Sequence, residues 1–310
     1  EFRRVLFRSS DGDGISAGNW LQADGGVYTV KAGGGSENVQ KSDGEWQFGP
    51  GQQTESTDTT EEDTVSMKAI KAAGELILKG GKYSLDSADD TIHSNANITI
   101  SDGEFTLASG DDGIHADSAT TISGGTIDIT ESYEGIEGLS IDITGGETYV
   151  SGPTNDGNSA LDYNGTGTVT GGIFIAAGSS GMAENFGDSS TQGVMMVTVN
   201  SQAAGSAVSL SDSSGNELVS WTPEKEYTSV IISCPEITTG QEYTLTTGSD
   251  TTQITMDSIV YGSGSGMGGN PGNGGGPGNG GDMGQKPDDG NGTGKGSGDG
   301  GNMGTPPEKS

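Results

Sequence analysis

The chain has 310 residues, of which 58 are glycine and 29% are hydrophobic, and its formal net charge at pH 7 is −31. It contains no apolar run of the roughly 18 residues that indicate a membrane-spanning helix. A surface this negative repels the phosphates of nucleic acids. The sequence therefore excludes a transmembrane segment in this chain and a nucleic-acid partner. Because hydrophobic residues are few, they can form a core only if it is narrow and repeated.

The basic residues mark a boundary close to the start of the sequence. All three arginines fall in residues 1–9, whereas residues 10–310 contain ten lysines and no arginine. We interpret residues 1–9 as a non-native scar and leave them out of the fold prediction. A remnant of a basic signal-peptide start is the alternative, although no apolar segment follows it. In both cases we expect the natural start, with any export signal or lipid anchor, to be missing.

A repeat of 22 residues dominates the segment that follows. Its anchors are apolar residues that each follow a small or acidic cluster: Ile15, Ile70, Ile92, Ile114, Ile136 and Leu161. A turn glycine follows each anchor ten or eleven residues later: Gly26, Gly81, Gly103, Gly125, Gly146 and Gly172. Between these positions apolar residues alternate with polar ones, as in Ile98-Thr99-Ile100. This alternation is typical of strands and does not fit a helix.

Short strands at this interval predict an all-β fold, a right-handed single-stranded parallel β-helix of about 22 residues per coil. Equivalent residues of successive coils should stack at the strand separation of about 4.8 Å. We therefore expect Ile92, Ile114 and Ile136 to form one interior column.

The composition then divides the chain into segments. We place the β-helix at residues 10–190, with a flexible polar insertion at residues 33–66. Residues 191–261 contain strand-like segments that should form a small antiparallel cap over the open end of the coil. Residues 262–310 are rich in glycine, asparagine and proline, and we expect a disordered tail there.

Acidic residues stand beside the anchor of each coil. The carboxylates that we predict to bind metal are Asp89, Asp90, Asp111, Asp112, Glu134, Glu137, Asp156 and Asp162. A strict 22-residue period stacks Asp90, Asp112 and Glu134, and two carboxylates about 5 Å apart repel by about 3 kcal/mol at an effective dielectric constant of about 20. Ca²⁺ would offset this repulsion, because it takes about 6–8 oxygen ligands and adjacent coils can each supply some. Asp-Gly also occurs in solenoid corners through turn chemistry alone, so both interpretations stay open.

Five further residues are candidates for contacts with a substrate. His93 and His115, the only histidines, lie 22 residues apart. Zinc usually has more nitrogen or sulfur ligands than these, so we expect stacked, solvent-facing imidazoles that hydrogen-bond neighbouring aspartates. Lys71 lies in the same column and is the expected counter-charge of the acidic residues. Tyr133 and Tyr163 lie on neighbouring coils, where their rings could stack on sugars.

Features that would indicate an enzyme are few. The sequence has no Gly-x-Ser-x-Gly nucleophile elbow. A polysaccharide lyase would need a lysine or arginine base beside calcium, and only Lys71 and, more remotely, Lys68, Lys79 or Lys82 could serve. We therefore predict that the protein is not an enzyme.

Four segments resemble one known family: Lys68-Ala69-Ile70-Lys71-Ala72, Ser109-Gly110-Asp111-Asp112-Gly113-Ile114-His115-Ala116-Asp117, Ile122-Ser123-Gly124-Gly125-Thr126-Ile127 and Gly178-Ser179-Ser180-Gly181-Met182-Ala183. Together they look like the carbohydrate-binding parallel β-helix proteins of Gram-positive, clostridia-like bacteria. The resemblance implies a pectate-lyase-like fold and calcium ions bound in the coils. It also implies binding of plant cell-wall polysaccharide, both acidic pectin-type chains and cellulose, without established catalysis. Members are exported and often lipid-anchored.

We therefore expect a monomeric, extracellular or surface-attached protein that binds a polygalacturonate-like chain or cellulose with the help of Ca²⁺. A polyanionic protein can hold a polyuronate only if cations bridge the two sets of carboxylates. A calcium-dependent polysaccharide lyase and a structural surface adhesin are the alternatives.

Overall fold

The computed structural model describes residues 5–38 and 65–262, and in this part of the chain all regular secondary structure is β-strand. These residues accordingly contain no helix that could span a membrane. The predicted all-β class is confirmed. The predicted flexible insertion and disordered tail fall almost entirely on residues 39–64 and 263–310, which lie outside the described residues.

Parallel strands build a β-solenoid of about seven turns with roughly 22 residues per turn. Its strands are β1 (Val5–Ser10), β2 (Ile15–Ala17), β3 (Leu21–Ala23), β4 (Val27–Ala32), β5 (Ile70–Ala72), β6 (Leu76–Ser87), β7 (Ile92–Ser94), β8 (Ile98–Ser109), β9 (Asp112–Glu131), β10 (Glu134–Ser151), β11 (Leu161–Val169) and β12 (Ile173–Gly178). Equivalent strands of successive coils pair in register, and the pairs align Ile92 with Ile114 and Ile114 with Ile136. All three side chains are fully buried. The predicted interior column is therefore confirmed.

The corners of the solenoid use the glycines that the spacing predicts. They adopt positive φ angles, which side chains other than glycine rarely tolerate: Gly26, Gly81, Gly103, Gly125, Gly146 and Gly172. Strand pairing continues around these corners, so that β9 extends on both sides of Gly125. This continuity explains why several strands are much longer than the short alternating runs in the sequence.

Aromatic residues add a second column to the interior of the first coils. The rings of Tyr28 and Tyr83 stack with centroids 4.7 Å apart, and those of Tyr83 and Phe105 with centroids 4.5 Å apart. Tyr83 and Phe105 are buried, and the hydroxyl of Tyr83 donates to the carbonyl of Gly80 at 2.9 Å. The low hydrophobic content of the chain is thus concentrated in narrow columns of stacked side chains.

The C-terminal strands complete the fold in two different ways. They are β13 (Val194–Gln202), β14 (Val208–Asp212), β15 (Glu217–Trp221), β16 (Tyr227–Ser233), β17 (Glu242–Thr247), β18 (Asp250–Thr255) and β19 (Val260–Tyr261). Strand β16 pairs antiparallel with β12, and β13 pairs antiparallel with β16, so both strands extend the solenoid sheet. Only β15, β14, β17 and β18, in that order, form a separate antiparallel sheet. The prediction of a single separate cap is wrong in this respect, because the last coil offers an open strand edge with which the following strands can pair.

Residues 5–9, which composition assigns to a scar, take part in strand β1. This strand pairs in parallel with β4. Its side chains Val5, Leu6 and Phe7 are exposed. The strand therefore adds backbone hydrogen bonds to the edge of the solenoid but little apolar core.

Candidate functional site

One outer column of the solenoid carries most of the predicted site residues. Strand register aligns Lys71, His93, His115, Glu137 and Asp162, one from each coil. Each follows an inward-facing anchor, and successive side chains of a strand point to opposite faces. The repeat therefore places two histidines between a lysine on one side and two carboxylates on the other.

The corner before each anchor is tight enough to require glycine. A Cβ atom on Gly135 would lie 2.1 Å from the carbonyl oxygen of Ala160, and one on Gly113 would lie 2.7 Å from the carbonyl oxygen of Gly135. The close approach of adjacent coils brings their acidic residues together. The backbone N–H of Asp112 donates to Oδ1 of Asp90, 22 residues earlier, at 3.2 Å.

The structure aligns the carboxylates that the 22-residue period predicts to stack. Asp112 is in register with Glu134, and Asp90 and Asp112 are only 1% and 4% exposed. Burial and the negative charges of Asp90 and Asp111 raise the pKa of Asp112 well above its ordinary value. Oδ1 of Asp112 is buried and has no hydrogen-bond partner within residues 5–38 and 65–262. The stack thus contains a carboxyl group that is poorly stabilised as an anion.

Asp90 differs, because a lysine and a histidine neutralise it. Nζ of Lys68 lies 2.6 Å from Oδ2 of Asp90 and 2.6 Å from Oδ1 of Asp89. Nδ1 of His93 lies 2.7 Å from the same Oδ2. Burial alone would raise the pKa of Asp90, but the contacts with His93 and Lys68 outweigh it and lower the pKa to about 2. Asp90 is therefore ionised at neutral pH.

The prediction that Lys71 supplies the counter-charge is wrong. Nζ of Lys71 donates to Oγ of Ser66 at 3.1 Å, and Lys68 makes the ion pairs. The reason is the register of the repeat, since Lys68 lies 22 residues before Asp90 and occupies the same corner of the preceding coil. That spacing was the signal that could have identified Lys68.

Both imidazoles lie among carboxylates. Nδ1 of His115 is 2.8 Å from Oδ2 of Asp112 and 3.1 Å from Oε2 of Glu137, while its Nε2 is 3.4 Å from Oδ1 of Asp117. The rings of His93 and His115 lie 4.9 Å apart. The predicted hydrogen bonds to aspartate are confirmed. The predicted solvent exposure is wrong for His93, which is only 7% exposed because coils stack on both sides of it.

Carboxylates crowd together at the far end of the outer column, and we call Glu134, Glu137, Asp162 and Glu184 the acidic end. Burial and the charges of Glu137 and Asp162 raise the pKa of Glu134 to about 7, and burial and Glu137 raise that of Asp162. Burial also raises the pKa of Glu184 to about 7, against the hydrogen bond from the backbone N–H of Tyr163. No lysine or arginine of the described chain pairs with these four carboxylates. Sequence reasoning missed Glu184, because it follows the point where the repeat loses its period.

Three groups of side chains place potential metal-ligating atoms within 4.8 Å of one another. They are Asp89 with Asp90 and Asp111, Asp90 with His93 and His115, and Asp112 with His115 and Glu137. The first group already holds the ammonium of Lys68. Burial and the charges of Asp90 and Asp89 nevertheless raise the pKa of Asp111 to about 6. The acidic residues therefore remain short of positive charge.

The remaining predicted site residues lie apart from these groups. Tyr133 is 49% exposed, so its ring is accessible from solvent. Tyr163 is half-buried, and its hydroxyl donates to the carbonyl of Asn185 at 2.7 Å. Asp156 is exposed and accepts a hydrogen bond from Ser179. The structure thus brings together the central part of the predicted metal site but not its last coil.

Comparison with known proteins gives one finding about function. A family model described as "Carbohydrate-binding domain-containing protein" matches residues 7–113, which include the first and second of the three ligand groups apart from His115. Neither the curated proteins nor the solved structures give a match to this chain. The chain is thus similar over residues 7–113 to a carbohydrate-binding family, and this similarity supports a carbohydrate-binding role.

Proposed function

We propose that the protein is a non-catalytic extracellular binder of plant cell-wall polysaccharide, either acidic pectin-type chains or cellulose. It holds acidic chains through Ca²⁺ bound at the acidic end of the solenoid. The family match supports the carbohydrate role. The observation that carries the calcium proposal is the crowding of Glu134, Glu137 and Asp162 without a lysine or arginine partner in the described parts of the chain.

The donor chemistry of the acidic end fits calcium. Ca²⁺ is a hard cation with oxygen ligands, and it tolerates flexible geometry with about 6–8 of them. Carboxylates that crowd together at raised pKa values gain most from a divalent cation, because binding it relieves their mutual repulsion. Glu134, Glu137 and Asp162 would hold the ion, with Glu184 beside them. When bound, Ca²⁺ supplies a positive centre for the carboxylate and hydroxyl oxygens of the glycan.

An exposed aromatic ring next to the acidic end suits a sugar chain. Tyr133 precedes Glu134 directly, and half of its surface is exposed. Aromatic rings present an apolar face against which the C–H face of a pyranose can pack, including that of a neutral glucan. Tyr133 is therefore the stacking residue that we assign to the bound chain. His115 is more accessible to a ligand than the buried His93.

The lysines near the site support a binding role rather than lyase activity. Burial lowers the pKa of Lys68, but the charges of Asp90 and Asp89 outweigh burial and the pKa is raised overall. Lys68 therefore stays protonated at neutral pH and cannot abstract a proton from a uronate. Lys71 donates to Ser66. Unsaturated product from polygalacturonate that disappears in Lys71→Ala would favour the lyase alternative.

The acidic end can be tested by two charge-removing substitutions. We expect the double variant Glu134→Gln, Asp162→Asn to lose most of its binding to polygalacturonate in millimolar Ca²⁺, measured by affinity electrophoresis. Glu104→Gln is the matched control, because Glu104 is an exposed carboxylate that pairs with Lys82 at a turn. The control should bind like the parent protein. Undiminished binding by the double variant, with an unchanged melting temperature, would contradict the proposal.

A further inference from the structure

The two stacked histidines provide nitrogen ligands that the calcium proposal does not use. We propose that Asp90, His93 and His115 form a second metal site, which binds a divalent first-row transition-metal ion such as Zn²⁺. Imidazole nitrogen suits zinc and its neighbours, whereas calcium prefers oxygen ligands only. The proposed site is therefore chemically distinct from the acidic end.

The distances between the ligand atoms are close to those of a coordinated ion. Nδ1 of His93 and Nδ1 of His115 lie 2.7 Å and 3.9 Å from the same oxygen, Oδ2 of Asp90. Two ligands on a tetrahedral ion with bonds of about 2.0–2.2 Å lie about 3.3–3.6 Å apart. The two observed distances lie on either side of that range. Small rotations of the imidazoles would therefore admit the ion.

A second carboxylate orients one of the imidazoles. Nε2 of His115 lies 3.4 Å from Oδ1 of Asp117, on the opposite side of the ring from Nδ1. Metal-ligating histidines usually donate their second ring N–H to a carboxylate or carbonyl, which fixes the tautomer and leaves the other nitrogen free to bind. Asp117 is thus a positioning residue that directs Nδ1 of His115 towards the ion.

An unsatisfied buried oxygen lies beside the same imidazole. Oδ2 of Asp112 is 2.8 Å from Nδ1 of His115, and Oδ1 of the same carboxylate has no hydrogen-bond partner in the described chain. The side chain of Asp112 is only 5% exposed. Buried polar atoms without partners are rare, because their desolvation is not compensated. A cation held by the neighbouring histidines would compensate this carboxylate.

Lys68 competes with the proposed ion. Its ammonium lies 2.6 Å from Oδ2 of Asp90, the oxygen that both imidazoles approach. A bound metal ion must share or displace this contact. Replacing Lys68 with a neutral residue should therefore strengthen metal binding, although the same change removes a partner of Asp90.

The test uses Zn²⁺ and Co²⁺ as probes on the full chain, with millimolar Ca²⁺ present throughout. We expect one equivalent of Zn²⁺ to bind by calorimetry, and Co²⁺ to give the visible absorption of a site with nitrogen ligands. His93→Gln and His115→Gln should each weaken binding at least tenfold. Asp117→Asn, a change at the surface, should weaken it about tenfold, as loss of an orienting carboxylate does at other metal sites.

Two lysine variants complete the design. Lys68→Gln should bind Zn²⁺ more tightly than the parent protein. Lys225→Gln, which removes the ion pair of Lys225 with Glu131 away from the site, should bind it equally well. Zn²⁺ affinity that is unchanged in the folded His115→Gln and Asp117→Asn variants would overturn the proposal, and so would displacement of Zn²⁺ by excess Ca²⁺. No glycan is present, so this result is independent of polysaccharide binding at the acidic end.

Discussion

The substitution Asp112→Asn should stabilise the metal-free protein at alkaline pH. It keeps the size of the side chain and an oxygen that can accept from His115, but it removes a buried negative charge. Asp90 and Glu134 occupy the same position on the two adjacent coils, about 4.8 Å away along the stack. Each ionised neighbour repels Asp112 by about 3 kcal/mol at an effective dielectric constant of about 20.

The net gain is smaller than this repulsion, because Asp112 escapes part of it by taking up a proton at its raised pKa. We therefore expect a stabilisation of about 1–3 kcal/mol at pH 8, which corresponds to a rise of about 2–12 °C in Tm for a domain of this size. The gain should shrink at pH 5, where the parent residue is itself protonated.

The measurement is thermal unfolding in chelator at pH 8 and pH 5. Asp142→Asn is the matched control, because Asp142 is half-buried on β10 and accepts a hydrogen bond from Thr168. It should be neutral or slightly destabilising at both pH values. A loss of stability in Asp112→Asn at pH 8 would refute the reasoning, because it would mean that the ionised carboxylate is favourable in the metal-free fold.

Three further outcomes follow from the same structure. Ca²⁺ at a hundredfold excess over its Kd should stabilise the protein by about 2.7 kcal/mol, and chelator should reverse the shift in Tm; an unchanged Tm would argue against a calcium site. In the metal-free protein, stability should rise as the pH falls from about 8 to about 6, because Glu134 and Glu184 bind protons in the folded state with pKa values of about 7 and release them on unfolding; a flat profile in urea titrations would count against the raised pKa values. Ile114→Ala should cost about 2–5 kcal/mol by leaving a cavity in the interior column, whereas Ile77→Ala, at a half-buried position on the outer face of β6, should cost clearly less; equal losses in chemical denaturation would contradict the assigned register.

The fold is predictable where local pattern and stacking coincide. The spacing of Ile92, Ile114 and Ile136 defines the coil, because a parallel stack requires the same residue type at each equivalent position. The C-terminal strands lack such a period, so their partners depend on tertiary contacts. That is why the pairing of β16 with the edge of β12 was not predicted.

The site is predictable in its column but not in its contacts. The period places His93 and His115 beside aspartates, as observed. It does not reveal how deeply His93 is buried, because exposure depends on the packing of neighbouring coils. Lys71 was preferred over Lys68 because only the column after the anchor was considered, whereas the corner before it carries the ion pair.

The most direct test of the proposed function is a binding isotherm on polygalacturonate, measured once in millimolar Ca²⁺ and once in chelator. Both the chain and this ligand are polyanions, so they should repel each other unless a cation bridges them. We predict saturable binding with Ca²⁺ and none in chelator. Equal binding in both conditions would contradict the claim that calcium at the acidic end holds the polysaccharide.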